Sequence, residues 1–456
     1  MSRIPIAVFA TACALQAQGV NVSFIGQACF YIQSTDGSAT VVTDPPLASV
    51  GYSLPATPAN AVTISHNHTD HNFAEGVKGP ASVVDGRPVT ARTEVTAAGL
   101  QFVQIAGFHD NTNGSARGRN TMVRWTQAGL NLVHMGDYGQ DQFTAEQLAD
   151  LKNVDVLFVP AGGFFTVDPK AMAAQVAQIA PKVAILMHYR TALGGPAQLA
   201  QQPAVAAAFG AVQYKPSSVT LSRASLPAMP EVWLMEPVAD LAAVNPGGFS
   251  AGVPVGAGSV VSLFGSFSGS KTAAYSSFPL PRKLEDTDVL VDGAAAPLLF
   301  VSPGQINLQA PSKPPAQTLV EVRVGGQRVA RGVMNVLKAA PGVLLALNQD
   351  GRINSASAAA RRGQVLELYA TGLGDSAPVV DDGAPGPALP PAVAVDMPSV
   401  TVGGVAATAY YAALAPGLVG VWRVDFVLPA NSPTGDAVPV VLRQGLPSNA
   451  VNVAIQ

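Results

Sequence analysis

From about residue 20 onward, short apolar runs rich in β-branched residues alternate with Gly, Asp and Pro. "VNVSFIG", "CFYIQS", "TVVTD" and "AVTISH" each read as a strand. Two hairpin-like pairs follow, "VTARTEV" with "LQFVQIAGF" and "NTMVRWT" with "LNLVHMGD". At Thr144 the period changes. "TAEQLADL" opens with Thr as a helix N-cap and Glu146 in the first turn. "VDVLFVPAG" predicts a buried strand, "DPKAMAAQVAQIA" a helix with Pro in its first turn, and "KVAILMHY" another strand. "AQLAQQPAVAAAF" predicts a further helix, and "SSVTLS" and "EVWLME" close the series. Two β-rich halves carrying helices imply an α/β domain over residues 19–237, built as a four-layer αββα sandwich.

Beyond this the helices stop. A Pro/Gly/Ala-rich stretch, "PVADLAAVNPGGFSAGVPVGAG", reads as a linker over 238–258. Short strands, Gly turns and prolines then take over, the pattern of all-β sandwich domains. An internal repeat divides them. "SLFGSFSG" (262–269) echoes "ELYATGLG" (367–374), and "VLVDGAAA" (289–296) echoes "VTVGGVAA" (400–407). Two similar modules are expected, 259–345 and 346–456, joined near "LNQDGRINSASAAARRG". Neither contains a histidine, so they read as binding or spacer units.

Composition narrows the function classes. Of 456 residues 48% are apolar and 12% charged, about half the usual charged share. The net charge of −3 shows no basic excess, which argues against a nucleic-acid footprint or a polybasic membrane patch. At the N-terminus Arg3 precedes an apolar run, Ile4 to Leu15, with small Ala17 after it. That is the form of a signal peptide over 1–18, too short to span a bilayer. A buried first element is the alternative. Export to the periplasm, the cell surface or the medium is the expectation. A lipoprotein form using Cys13 is open, although "ATAC" lacks the usual leucine. No other segment is long and apolar enough to be transmembrane. Without the leader Cys29 has no cysteine partner, and its apolar strand makes it a buried structural thiol.

The chemistry concentrates in "TISHNHTDHN", which holds three of the six histidines. His66 and His68 stand two apart, so in an extended segment both imidazoles leave one face and can share a cation. Asp70 and His71 come as the chain turns and can reach a second. Two neutral imidazoles with a carboxylate suit zinc or a similar first-row ion. A hydrophilic loop with incidental histidines is the competing reading, and three at this spacing weigh against it. Further ligands must come from later strand ends. His109 in "IAGFHDN", Asp137 in "LVHMGDYG" and His188 in "AILMHYR" all stand where an apolar run meets a loop.

With "VVTDP", "GFHDNTNGSARGRNTM" and "VDVLFVPAGGFFTVDP", these motifs resemble the metallo-β-lactamase-fold hydrolases over about residues 20–237. The branch they resemble includes L-ascorbate 6-phosphate lactonase. The resemblance implies His66, His68 and His109 on a first metal, Asp70, His71 and His188 on a second, and Asp137 bridging both. Asp70 and Asp137 are then also the catalytic carboxylates. Asp44, in "VVTDP", would orient a ligand imidazole. Asn67 departs from the acidic or other polar residue of many relatives, at a position that is no ligand. His134 is left over, as a core histidine or a support to a ligand. Two divalent cations are implied, zinc first, with manganese or iron open. Such a pair, about 3.5–4 Å apart, lowers the pKa of a shared water enough to supply hydroxide near neutral pH.

The expected substrate is a small-molecule lactone, ester or phosphodiester, with β-lactam-type amides a lesser alternative. Arg117, Arg119, Tyr138, Tyr189 and Arg190 either line a pocket for an anionic or polar substrate or, for the arginines, are solvated loop residues. Phe164, beside Phe165, offers an apolar wall or packs in the core. "DGAAAPLLFVSPGQINLQAP" and "LNQDGRINS" resemble immunoglobulin-like C-terminal modules of secreted bacterial proteins, which implies a cell-surface or extracellular ligand. The reading from a different class is a surface binding or adhesion protein whose hydrolase-like domain is a metal-stabilised scaffold.

Overall fold

The computed structural model describes residues 18–79, 81–313 and 315–456; the expected leader, with Cys13, lies outside them except for Gln18. Two mixed sheets face each other in the N-terminal part. The first is ordered β13-β1-β2-β3-β4-β5, from Ser218–Ser222 (β13), Gly19–Gly26 (β1), Cys29–Ser34 (β2), Thr40–Thr43 (β3), Ala61–Ile64 (β4) and Ser82–Asp85 (β5). The second is ordered β12-β14-β11-β10-β9-β8-β7-β6. Its strands are Thr93–Ala97 (β6), Leu100–Phe108 (β7), Arg119–Gln127 (β8), Leu130–His134 (β9), Val156–Pro160 (β10), Val183–Met187 (β11), Val212–Lys215 (β12) and Glu231–Met235 (β14).

One apolar core fills the space between the sheets. Val20, Val22 and Phe24 alternate along β1 toward it and meet Trp125, Phe158 and Leu186 from the second sheet. Phe30 and Phe158 pack across the gap with ring centroids 4.4 Å apart. All residues of β10 and β11 are buried, as expected of central parallel strands covered on both faces. Helix Pro169–Ile179 (α2) starts where Asp168 accepts from the backbone N–H groups of Lys170 and Ala171, with Pro169 at its first position. It packs against Gln202–Phe209 (α3), which in turn meets β14. Ala145–Asp150 (α1) begins with a capping box between Thr144 and Gln147.

The four-layer expectation needs correction. All three α-helices among the described residues lie after β9, and none covers the outer face of the first sheet. That face carries its own small core, in which Ile25, Cys29, Val42 and Ile64 are covered by Tyr52, Leu54 and Val77 from loops. The covering segments cannot sustain helices. Pro45, Pro46, Pro55 and Pro58 break the first, and Gly76 and Gly79 the second, leaving only 3-10 turns at 48–50 and 74–76. Cys29 is fully buried, and burial, followed by the Asp44 carboxylate, pushes its thiol up.

Residues beyond 240 build two further pairs of sheets, each pair closed around one apolar core, consistent with β-sandwiches. The stretch expected as linker is partly strand. Leu241–Val244 pairs with Val260–Gly265, and Val255–Gly256 with Val336 and Leu337. Its alternating apolar residues, Leu241 and Ala243, join the first sandwich core.

Candidate metal centre

Each chemically active side chain stands just past a strand end. β4 is buried throughout and releases Ser65 and His66; a turn closed by His71 N–H on His68 O (3.0 Å) then presents Asp70 and His71. β7 releases His109, β9 leads through a glycine turn to Asp137, and β11 ends at His188. In that glycine turn Gly136 has φ 56°, and a Cβ there would lie 2.3 Å from Asn120 Oδ1, so only glycine lets the two loops close.

The side chains converge on one oxygen. Asp137 Oδ2 lies 3.0 Å from His188 Nε2, 3.1 Å from His109 Nε2, 3.3 Å from His71 Nε2 and 3.7 Å from His66 Nε2. Around it the donor atoms form two groups, His66/His68/His109 and Asp70/His71/His188, within each of which all lie inside 4.8 Å. A third such group is Asp44, His66 and His71. Asp44 Oδ1 accepts from the Ser65 N–H (2.8 Å), and Oδ2 from the Ser65 hydroxyl (2.5 Å) and His71 Nδ1 (3.0 Å). With its proton spent on Asp44, the Ser65 hydroxyl can only accept from His66 Nδ1, 2.8 Å away. Both imidazoles therefore carry a proton on Nδ1 and turn Nε2 toward the centre.

These inward atoms have no hydrogen-bond partner. His66 Nε2, His71 Nε2, His109 Nε2 and Asp137 Oδ1 are buried and unsatisfied. Such an accumulation is costly unless a cation answers it, and the donors, five imidazoles and two carboxylates, are of the type zinc takes. Burial and neighbouring imidazoles push His66 and His68 down, which keeps them neutral. Burial opposes charge on His71, but Asp137 and Asp70 outweigh it and carry its pKa up. Burial likewise opposes ionisation of Asp137, yet His188 and His71 hold it well below the usual carboxylate range; Asp70 is held down in the same way.

Three supporting residues have no motif to announce them. Ser65 links Asp44 to His66. Gln27, fully buried at φ 55°, donates from Nε2 to Asp70 Oδ2 (2.8 Å), and its carbonyl accepts from His188 N–H (2.7 Å). Asn120 accepts from Asp137 N–H (2.8 Å) and donates to Met135 O (2.8 Å). His134 stays out of the cluster. Its Nε2 donates to Ala28 O (2.8 Å) and Nδ1 accepts from Gly136 N–H (3.2 Å), so it ties the Asp137 turn to the core.

A cavity of about 580 Å³ opens over the cluster. His68, Asp70, Asp137 and His188 reach it from below, with Ser49, Val50, Phe165, Gly195 and Pro196 among its walls and Asn67 at its lining. A second hollow of about 370 Å³ adjoins it, sharing His109 and Phe165 and adding Arg117 and Phe164. Arg117 is engaged: Nη1 donates to Phe164 O (2.7 Å), and the guanidinium lies over the rings of Phe164 (5.8 Å) and Phe165 (5.2 Å). Phe164 itself is 62% exposed.

The remaining pocket candidates are placed elsewhere. Tyr138 and Tyr189 are fully buried in the core, with hydroxyls donating to Gln142 O and Met235 O, because each follows a residue that points into the cluster and so points away from it. Arg119 stacks on Phe108 in a separate hollow. Arg190 is absent from both linings.

Residues 21–188 match the β-lactamase superfamily domain. The chain is 29% identical over 191 residues to a UPF0173 metal-dependent hydrolase of Methanoculleus marisnigri, covering 38% of this chain and 82% of that protein. It is 25% identical over 200 residues to one of Pyrococcus abyssi, covering 38% and 85%. Among solved structures, a metallo-β-lactamase superfamily protein of Thermotoga maritima is 27% identical with a TM-score of 0.38, covering 47% of this chain and 98% of that one.

Proposed function

We propose that the N-terminal domain is a metal-dependent hydrolase of the metallo-β-lactamase superfamily that works with two divalent cations. His66, His68 and His109 would hold one, Asp70, His71 and His188 the other, with Asp137 reaching both. What supports this is Asp137 Oδ2, ringed by four imidazole Nε2 atoms within 3.7 Å. Bound there, the cations would supply Lewis acidity and a water acidified to near neutral pKa. Zinc is the ion proposed, from the nitrogen-rich donor set.

The chain's own residues do the rest. Asp44 and Ser65 fix the tautomer and aim of His71 and His66, and Gln27 fixes Asp70 against His188. Asp70 is 21% exposed and Asp137 2%, so Asp70 is the carboxylate more open to the cavity. Val50, Phe165 and Pro196 give the cavity apolar wall against which an uncharged part of a substrate can be held. The proposed substrate is a lactone, carboxylic ester or phosphodiester. Export through the N-terminal leader is proposed with it, on the charge and length of that segment.

Metal analysis of the purified protein, with a panel of chromogenic esters, lactones, phosphodiesters and cephalosporins, tests the proposal. Two metal ions per chain are expected, with turnover of an ester, lactone or phosphodiester, both depressed in His66→Ala/His68→Ala. One ion per chain, or activity that survives the double substitution, would remove the dinuclear reading.

A further inference from the structure

Two loops supply much of the cavity wall. The 3-10 turn at 48–50 gives Ser49 and Val50, and the segment after β11 gives Gly195 and Pro196. They are laced together. Gly195 N–H donates to Val50 O (2.9 Å), the Tyr52 hydroxyl donates to Gly194 O (2.8 Å), and the Thr191 hydroxyl is 2.7 Å from that of Tyr52. The contact is close enough that a Cβ on Gly194 would lie 2.3 Å from Val50 O.

Both loops are also gripped from outside, by the first β-sandwich. Arg331 Nη2 donates to Gly51 O (3.1 Å), and Gln317 Oε1 accepts from Ala192 N–H (2.7 Å). Gly51 adjoins Val50, and Ala192 precedes Gly195 by three residues. The two gripping side chains come from adjacent antiparallel strands, Gln317–Val324 and Gln327–Leu337. Each is itself held. Gln317 Nε2 donates to Asn335 Oδ1 (3.0 Å), and Asn335 Nδ2 to Glu236 Oε1 (3.3 Å) at the end of β14. The Arg331 backbone exchanges two bonds with Asp240, N–H to Oδ2 (3.1 Å) and O from N–H (3.0 Å). Loop backbone that lacks regular secondary structure must find partners for its N–H and C=O groups, and here the neighbouring module provides two of them.

We infer that the first β-sandwich belongs to the catalytic unit, with Arg331 and Gln317 as positioning residues that hold the cavity wall. The inference rests on that cavity being the substrate site. It makes this module a support for substrate binding in place of a spacer, and assigns no such part to the second.

Hydrogen–deuterium exchange on the full-length, metal-loaded protein tests the brace without needing turnover. Arg331→Ala and Gln317→Ala should each speed amide exchange in 49–51 and 191–195 by about tenfold, the scale of one lost hydrogen bond, and leave Val183–Met187 and the metal content unchanged. Arg331→Lys, which keeps a donor, should recover part of the protection. On a chromogenic substrate that the wild type turns over, KM should rise several-fold with kcat nearly constant. Arg328→Ala, on the same strand but paired with Glu321, serves as control. Wild-type exchange in both loops, or equal change with Arg328→Ala, would overturn the inference. Absence of turnover in the wild type would count against the proposed reaction only, since the exchange result judges the brace by itself.

Discussion

Asp44 is held at φ 38°, a left-handed conformation that costs a non-glycine residue of order 1 kcal/mol. The cost is offset by three hydrogen bonds, two to Ser65 and one to His71, that govern two of the proposed ligands at once. Asp44→Asn keeps the size but puts donors where at least one donor already stands. Metal affinity should fall about 10–100-fold, read by competition with a chelator. Ser65→Ala cuts only the branch to His66 and should cost less. Equal loss in the two variants would show that Asp44 does not act on His71 separately. The convergence of the histidines was legible in the chain because they stand at strand ends in a set order. Ser65 and Gln27 were not, since a hydroxyl or an amide that supports a ligand carries no spacing rule. Tyr138 and Tyr189 misled for a related reason: adjacency in sequence to a ligand places a side chain on the opposite side of the backbone.

Strands and helices were legible wherever apolar period decided them. β1 to β4, β10, β11 and α2 stand where their patterns put them. The outer helical layer on the first sheet failed because fold expectation overran local chemistry, and the prolines in "DPPLASVGYSLPATPAN" were the contrary signal. The loop that carries Arg117 shows the same precedence of local bonding. Asp110 accepts from the backbone N–H groups of Thr112, Gly114, Ala116 and Arg117, at 2.6 to 3.1 Å, and so fixes the loop before Arg117 reaches across to Phe164. With its guanidinium spent on the Phe164 carbonyl and two rings, Arg117 braces a wall between the two hollows. Arg117→Ala should therefore raise KM for neutral and anionic substrates alike, by several-fold. A loss confined to anionic substrates would instead place the guanidinium on the substrate.

At the scale of the molecule, the junction between the N-terminal domain and the first sandwich holds a buried carboxyl, Glu236, that should make its stability depend on pH. Glu236 is 7% exposed, and burial pushes its carboxyl up to about 8. An unfolded chain releases that proton near pH 4.5, whereas the folded one keeps it. Between those values the unfolded state binds fewer protons, so stability falls as pH rises, by about 3–5 kcal/mol across the window. Glu236→Gln retains an acceptor for Asn335 without the charge. Its melting temperature should match wild type near pH 4.5 and exceed it at pH 8; parallel curves would show that the carboxyl is not held neutral. One arrangement also bears on how the protein is made. β1 pairs with β13, so the first described strand waits for residues 218–222 before its free edge is covered. The cavity wall waits longer, for Gln317 and Arg331. On a ribosome, the last histidine of the cluster therefore emerges more than a hundred residues before the side chains that steady the cavity, and the nascent chain holds all its proposed metal ligands well before the finished pocket exists.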